Sequence, residues 1–268
     1  MAYLRDQVIV LKNEPFREHD SWVTCYGLEH GKLVAVARGQ RRWGAKHLGH
    51  LEPFTVASLM IAGGEAFDKI AVATTLQPRI QMRQRLAALW MAGAGAALTD
   101  RLTHPGAPDQ HVYELLNQWH VFLDTLVSTP SVERGRVFLA WFCLHLLDLL
   151  GYAVDLDHCI VCHQPLMDPV WFWPHAGGMV CDMCMREKGK AFSQATRLPD
   201  QTLRVLRFAR QSTLETLSRL TISTHLMGAA CQVVEACFIH HAPQSSRQTT
   251  RLSSAGAHVG MMMPTMWW

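Results

Sequence analysis

Four cysteines in the second half of the chain have the residue type and spacing of a metal site. Cys159 and Cys162 form one CxxC pair, Cys181 and Cys184 form another, and residues 163–180 separate them. Thiolates are ligands that Zn²⁺ prefers, and two such pairs can complete a tetrahedron around it. Because four thiolates leave no coordination position for water, the spacing predicts one structural zinc rather than a catalytic one.

Two disulfides or four free thiols are the alternatives to a metal. The sequence shows no positively led apolar leader, so we expect a reducing cytoplasm, where disulfides are rare. His158, His163 and His175 could each replace a cysteine ligand, but with four thiolates present we expect them outside the coordination sphere. Gly177 and Gly178 would permit the positive backbone angles that the second knuckle needs.

A basic cluster in the first part of the chain could contact phosphate groups. Residues 30–51 contain basic side chains and no acidic one, and Trp43 lies among them, where its ring could stack on a nucleobase. A solvated basic turn between two strands is the alternative. The formal net charge of +3 does not decide between them. The predicted DNA-contacting residues of this cluster are Lys32, Arg38, Arg41, Arg42 and Lys46.

Residues 1–80 carry the pattern of a small β-barrel domain. Short segments that alternate or are rich in β-branched residues are separated by Gly, Pro and charged turns. Five such strands predict an OB-fold, whose open face and loops bind single strands. Phe16, Trp22 and Phe54 suit a core better than a binding surface. The predicted strands begin at Gln7, Ser21, Lys32, Phe54 and Phe67.

Residues 81–242 have helical periodicity, which the four-cysteine segment, residues 155–190, interrupts. Asp109 and Ser131 are expected to begin helices, and the small residues of "GAGAA" should let helices approach closely. The most apolar stretch, Val137 to Val154, is shorter than a membrane span and contains two polar residues, so we expect a buried helix. The predicted fold class is therefore α+β and multi-domain, with an OB-fold barrel, a helical domain and an inserted zinc module. Residues 243–268 are predicted to be a disordered tail.

Arg204, Arg207 and Arg210 recur at every third position of a predicted helix. This spacing places them along one helical face, where they could extend the DNA contact. A solvated helix face is the alternative. The sequence shows no phosphate loop, nucleophile elbow, HExxH motif or carboxylate cluster beside the cysteines, so an enzyme is the least supported class.

Several segments, in their order along the chain, resemble the bacterial recombination mediator RecO family. The opening of that family is similar to "VIVLKNEPFREHDSWVTCYGLEHGKLVAVARGQRR" followed by "LEPF", and its zinc-bearing members are similar to "GYAVDLDHCIVC" and "HAGGMVCDMC". "FIHHAP" also fits, so the resemblance runs roughly from Gln7 to Pro243. The chain departs from the pattern at "WGAKHLGH", after the basic loop, and at His163, where a Gly often follows the first knuckle.

The resemblance implies an N-terminal OB-fold, a helical domain, a zinc module and a non-enzymatic role in DNA repair. Such a protein binds single-stranded and double-stranded DNA, anneals complementary strands, and contacts RecR and single-stranded-DNA-binding protein. It helps RecA, an indirect partner, to replace that binding protein on DNA. The alternative is an adaptor for single-stranded-DNA-binding protein with little DNA affinity of its own. We expect a cytoplasmic, nucleoid-associated protein with no membrane partner.

Overall fold

The computed structural model describes residues 3–45, 49–126, 130–220 and 223–241. Lys46 and the predicted tail, residues 243–268, lie outside these ranges. Within them, a β-barrel is followed by helices and by a small sheet beside which the four cysteines lie. This arrangement confirms the predicted fold class.

The barrel is closed, with strands in the order β1-β2-β3-β5-β4. Neighbouring strands are antiparallel except β3 and β5, which run parallel where Val36 lies opposite Lys69. Five strands closed in this way form an OB-like barrel. The strands are β1 (Tyr3–Pro15), β2 (Ser21–Gly27), β3 (Gly31–Ala37), β4 (Val56–Ala62) and β5 (Lys69–Gln77).

Alternation along β1 divides its side chains between two cores. Val8 and Val10 are buried inside the barrel, whereas Ile9 and Leu11 belong to the core that continues into the helices. Because successive strand residues point to opposite faces, one run of apolar residues can serve both cores. The barrel therefore packs against the helical domain through an apolar face of its own wall.

Helices account for most of residues 80–241. Asp109 caps one helix by accepting from His111 N at 2.8 Å, and Ser131 caps the next by accepting from Arg134 N at 3.3 Å, as the sequence predicts. None of the described helices is long and apolar enough to cross a membrane. The helices are α1 (Ile80–Arg83), α2 (Leu86–Leu102), α3 (Gln110–Thr125), α4 (Val132–Leu149), α5 (Asp182–Lys188), α6 (Thr202–Gln211), α7 (Leu214–Arg219) and α8 (Thr224–His241).

Small residues of α2 allow α3 to pack closely, as the "GAGAA" segment predicts. A Cβ added to Gly95 would lie 2.5 Å from Nε1 of Trp119, a fully buried side chain of α3. Real Cβ atoms do not approach heavy atoms this closely, so the site has room only for glycine. Gly95 thereby fixes the position of the largest side chain in the helical core.

A three-stranded sheet that the sequence pattern did not reveal begins in the four-cysteine segment, and its last strand lies just beyond that segment. Its strands are β6 (Val170–Trp173), β7 (Gly178–Cys181) and β8 (Thr196–Arg197), in the order β7-β6-β8. α8 packs beside it, with Cys237 Sγ 3.9 Å from the Gly177 carbonyl oxygen. The segment is therefore anchored to the helical domain and does not extend freely from it.

Candidate metal centre and nucleic-acid interface

Two short elements position the four cysteine sulfurs. Cys159 and Cys162 lie in the turn before β6, and Cys159 N donates to the Gln164 carbonyl oxygen at 2.9 Å. Cys181 ends β7 and caps α5, because its sulfur accepts from Cys184 N at 3.5 Å. The hairpin formed by β6 and β7 thus brings the second CxxC pair back to the first.

The geometry of the sulfurs suits a tetrahedral metal ion. All four ligand atoms lie within 4.8 Å of one another, and the sulfurs of Cys162 and Cys181 are 3.7 Å apart. A tetrahedral zinc with Zn–S bonds of about 2.3 Å separates its sulfurs by about 3.8 Å. The residues therefore form a group that can hold a metal ion with little rearrangement.

The surroundings of the thiols favour ionisation of Cys159 and oppose ionisation of Cys181 and Cys184. Burial opposes ionisation of Cys159, but N–H groups of Cys181, Cys162 and Val161 outweigh it and lower the Cys159 pKa to about 6. Burial, together with the neighbouring sulfurs, raises the pKa of Cys184 and Cys181. A divalent cation would remove this conflict, since it supplies the positive charge that four close thiolates need.

Backbone geometry explains the residue types found at three positions around the knuckles. Gly177 has φ of 59°, as expected for the turn before the second knuckle, whereas a Cβ on Gly178, in β7, would clash with Ile160. His163 also has a positive φ, 58°, and its N–H donates to the Cys159 carbonyl oxygen at 2.8 Å. The first knuckle therefore uses a left-handed residue at the position where a Gly is common, at a cost of about 1 kcal/mol.

The histidines near the cysteines have other contacts. His158 Nδ1 lies 3.3 Å from Asp155 Oδ2, and His175 Nε2 lies 2.7 Å from Gln194 Oε1. The group with metal-binding geometry among the described residues consists of the four cysteines. This arrangement agrees with the expectation that the histidines stay outside the coordination sphere.

The loop that follows β3 presents basic and aromatic side chains to solvent. Arg38, Arg41 and Arg42 are exposed, and the Trp43 side chain is fully exposed, at 104%. Arg42 N donates to the Gly39 carbonyl oxygen at 3.1 Å, which fixes a tight turn. In the part of the chain that the structure describes, no carboxylate forms an ion pair with these arginines.

The β1–β2 loop supports this basic loop. Arg41 N donates to the His19 carbonyl oxygen at 3.0 Å, and Gly39 N donates to Asp20 Oδ1 at 2.8 Å. The free guanidinium groups therefore extend from a hydrogen-bonded backbone. We call this end of the barrel, with Arg38, Arg41, Arg42 and Trp43, the open end.

Lys32 lies at the opposite end of β3, against the helical domain. Its ammonium is 2.6 Å from Asp100 Oδ1 and donates to the Thr103 carbonyl oxygen at 3.3 Å. Burial opposes ionisation of Asp100, but Lys32 and Lys12 outweigh it and keep its pKa below the usual range. The DNA contact predicted for Lys32 stays a prediction, and this ion pair favours a structural role instead.

The three arginines of α6 do not share one environment. Arg204 is exposed, whereas Arg207 pairs with Asp157 at 2.8 Å and Arg210 pairs with Asp148 at 2.8 Å. Arg207 also donates to the Leu156 carbonyl oxygen at 3.0 Å, which ties α6 to the segment before the first knuckle. Their DNA contact stays a prediction, and only Arg204 of the three has a free, exposed side chain in the described residues.

The expectation that Phe16 and Trp22 belong to a core was wrong, because with Phe67 they form an aromatic cluster beside the open end. Phe16, Trp22 and Phe67 are each only partly buried, and their ring centroids lie 4.7 to 5.7 Å apart. Phe54, by contrast, is buried in the core, as expected. The position of Phe16 directly after Pro15, at the end of a strand, was the available signal that its ring lies at a loop and not in the barrel.

The barrel, the helical domain and the inserted four-cysteine module define a multi-domain OB-like protein whose described residues include a cysteine group that can hold a metal ion. A family model described as recombination protein O N terminal matches residues 1–79, and one described as recombination protein O C terminal matches residues 83–249. The chain therefore belongs to the recombination protein O family.

Curated relatives share most of their length with this chain. It is 30% identical to DNA repair protein RecO of Rubrobacter xylanophilus, over 96% of this chain and 99% of the relative. It is 32% identical to DNA repair protein RecO of Geobacter sulfurreducens, over 78% of this chain and 84% of the relative. It is 29% identical to DNA repair protein RecO of Synechococcus sp., over 92% of this chain and 83% of the relative.

Proposed function

We propose that this protein is a non-enzymatic mediator of DNA repair and homologous recombination that binds single-stranded and double-stranded DNA directly. The observation that carries the proposal is the open end of the barrel, where Arg38, Arg41 and Arg42 are exposed without an acidic partner among the described residues. Free guanidinium groups bind phosphates and release counterions, which supplies affinity without sequence preference. Lys46 belongs to the same predicted contact but lies outside the described residues.

Annealing of complementary strands requires no bond chemistry. It requires a surface that neutralises two phosphate backbones while the bases stay free to pair. The open end is one such surface, and Arg204, exposed on α6, extends the proposed contact onto the helical domain. We leave Lys32, Arg207 and Arg210 out of this surface because their side chains neutralise carboxylates.

The proposed partners are RecR, single-stranded-DNA-binding protein and, indirectly, RecA. Their support is the family membership and the relatives whose name is DNA repair protein. In this role the protein helps RecA load onto DNA that the binding protein covers, and it acts in the bacterial cytoplasm at the nucleoid. Zinc is the proposed metal of the four cysteines, and its contribution is to stabilise the fold of the module.

The adaptor hypothesis requires an apolar pocket that could receive a peptide side chain. A crevice lined by apolar residues of α4, α6, α7 and α8, including Trp141, Leu206 and Val234, has a volume of only about 20 Å³. This is close to the space of a single water molecule. This crevice gives the adaptor hypothesis no support. A larger groove at the open end, lined by Phe16, Phe67 and basic side chains, has room for a peptide side chain as well as for DNA, so a binding measurement with free oligonucleotide decides between the two functions.

Fluorescence anisotropy of a labelled single-stranded oligonucleotide across a salt series tests the proposal. Arg41→Ala with Arg42→Ala should weaken binding about tenfold and flatten the salt slope by about 1.4, since each lost phosphate contact removes about 0.7 for single strands. The matched control is Arg186→Ala with Arg197→Ala, which removes two exposed arginines that already pair with Asp182 and Asp200.

Equal effects of the two double variants would remove the open end as the contact surface. Negligible binding by the wild-type protein at low salt would contradict direct DNA handling altogether and would favour the adaptor. Strand annealing by the same preparations is the next assay if the first result holds.

A further inference from the structure

A groove opens at the open end of the barrel, next to the basic loop. It lies between the β1–β2 loop, the end of β3 and the β4–β5 loop, and its volume is about 510 Å³. Ligand pockets commonly have volumes of about 300–1,000 Å³. We call it the mouth groove, and the residues that matter for its chemistry are Phe16, Arg17, Arg38, Phe67 and Lys69.

Two aromatic rings belong to the apolar lining of the mouth groove. The rings of Phe16 and Phe67 meet edge to face with centroids 5.7 Å apart, and Trp22 lies 5.0 Å from Phe67. These three side chains belong to neither hydrophobic core. Partly exposed rings of this kind cost free energy in water unless a flat apolar group covers them, and a nucleobase has such a face.

Basic side chains line the same groove. The guanidinium carbon of Arg17 lies 5.0 Å from the Phe16 ring centroid, and Arg38 connects the groove with the basic loop. Asp20 and Glu65 are its acidic residues, and Asp20 is already engaged with Gly39 N. Three cations against two carboxylates give a local excess of positive charge, which suits the phosphates on either side of a bound base.

Hydrogen bonds hold the walls of the groove in place before any ligand arrives. Phe16 N donates to the Asp20 carbonyl oxygen at 3.1 Å, and Val36 N donates to the Asp68 carbonyl oxygen at 2.8 Å. Asp68 also accepts from Gly64 N at 3.4 Å, which closes the β4–β5 loop on itself. A preformed site loses less conformational entropy on binding than a mobile loop would.

We propose that the mouth groove is a nucleobase-binding subsite, in which a base of single-stranded DNA stacks on the face of one of the rings of Phe16 and Phe67 and contacts the other ring edgewise, while Arg17, Arg38 and Lys69 contact its flanking phosphates. The inference rests on the proposed function, because it assumes that DNA reaches the open end. It adds a preference for single-stranded over duplex DNA, because the paired and stacked bases of a duplex cannot enter the groove. Single strands thus gain a base-dependent contact that duplex DNA lacks.

The test compares two labelled strands of about 12 nucleotides, a length within the span of OB-folds. One is oligothymidylate and the other is an abasic strand with the same number of phosphates. The wild-type protein should bind the thymidylate strand at least about fivefold more tightly, because only that strand has bases to stack. This comparison uses only the wild-type protein, so it does not depend on how a substitution affects folding.

The variant Phe16→Leu with Phe67→Leu keeps apolar volume and removes the aromatic faces. It should lose about fivefold or more in affinity for oligothymidylate, with no change for the abasic strand or for duplex DNA. Phe208→Leu is the matched control, because Phe208 is a 41% exposed ring of α6, a helix that does not line the mouth groove. Thermal melting of each variant checks that the fold is intact.

The outcomes separate this inference from the proposed function. Equal affinity of the wild-type protein for both strands, together with weakening by the Arg41 and Arg42 substitutions, would overturn the base subsite and leave direct DNA binding in place. Absence of binding to either strand at low salt would overturn both. Equal losses on thymidylate and abasic strands in the double Leu variant would also exclude stacking as the cause.

Discussion

Strand β3 has a basic residue near each end, and the two lie in opposite surroundings. Lys32, near its start, has its ammonium 2.6 Å from Asp100 of the helical domain. Arg38, just past its end, is exposed at the open end. The helical domain covers one end of the barrel and not the other. Lys32, at the covered end, therefore stabilises the fold, whereas Arg38, at the open end, is free to bind a ligand.

The same division applies to the helical domain itself. Arg207 and Arg210 pair with Asp157 and Asp148, whereas Arg204 on the same helix is exposed. We therefore expect substitutions in the covered parts of the molecule to lower stability and substitutions at the open end to lower DNA affinity. Four predictions test this division, beginning with the largest effect.

Loss of the proposed zinc should have the largest effect on the covered part. Cys159→Ser with Cys162→Ser should destabilise the fold by on the order of 5 kcal/mol or more, because structural zinc contributes its binding free energy to folding. Zinc content and thermal melting measure this, with DNA affinity determined per folded molecule. The DNA affinity of the molecules that remain folded should not change.

A ligand-preserving control sharpens the metal prediction. Cys162→His replaces a thiolate with an imidazole, which zinc also accepts, so it should retain more metal and more stability than the double Ser variant. Full stability after loss of one equivalent of zinc would contradict a structural role for the metal.

Acid should destabilise the protein through His120, a fully buried side chain of α3. Burial, with Arg79 and Arg83 nearby, lowers the His120 pKa from 6.5 to about 3. As the pH falls below 6.5, the unfolded chain binds a proton that the folded protein rejects, so stability present above pH 6.5 declines toward pH 3. By pH 5 the loss from this group is about 2 kcal/mol.

Urea unfolding at pH 7 and pH 5 measures the contribution of His120. His120→Leu should remove most of the change between the two pH values, whereas His111→Leu, at an exposed position of the same helix, should retain it. A pH dependence that is the same in wild type and His120→Leu would assign the acid sensitivity to other groups.

Lys32→Met should weaken the covered end without affecting DNA binding. It removes the closest cation from Asp100, which retains Lys12 at 3.1 Å, and should cost about 1.5 kcal/mol in urea unfolding. Lys190→Met, at an exposed position, is the matched control and should cost less than about 0.5 kcal/mol. Reduced DNA affinity with unchanged stability would show that Lys32 contacts DNA and does not stabilise the fold.

Trp43→Ala should have the smallest effect, and only on binding. Its ring is fully exposed, so its removal should not change the melting temperature. Loss of one stacked base should weaken binding of single-stranded DNA by about 1 kcal/mol, or about fivefold, in the anisotropy assay. An equal loss on duplex DNA would show that Trp43 contacts the backbone and does not stack on bases.

Local signals predicted many of the elements correctly. The helix starts at Asp109 and Ser131 follow from their capping side chains, and the strand pattern of residues 7–78 follows from alternation. The small sheet of the cysteine module was missed, because "VWFW" and "GMVC" are too short for periodicity to show. The helical periodicity that begins near residue 81 did not show that the first helices are two, α1 and α2.

The spacing of the cysteines was enough to identify the group that could hold a metal ion, since a CxxC pair places two sulfurs together whatever the rest of the chain does. The sequence also predicted the five-stranded barrel and the basic residues of the loop after β3. Only the tertiary structure decided which cations stay free, because Asp100 reaches Lys32 across more than sixty intervening positions. Likewise, Phe16 and Phe67 come from separate segments and line one groove only when the barrel closes. Long-range contacts of this kind depend on how the chain packs, and local sequence patterns do not encode them.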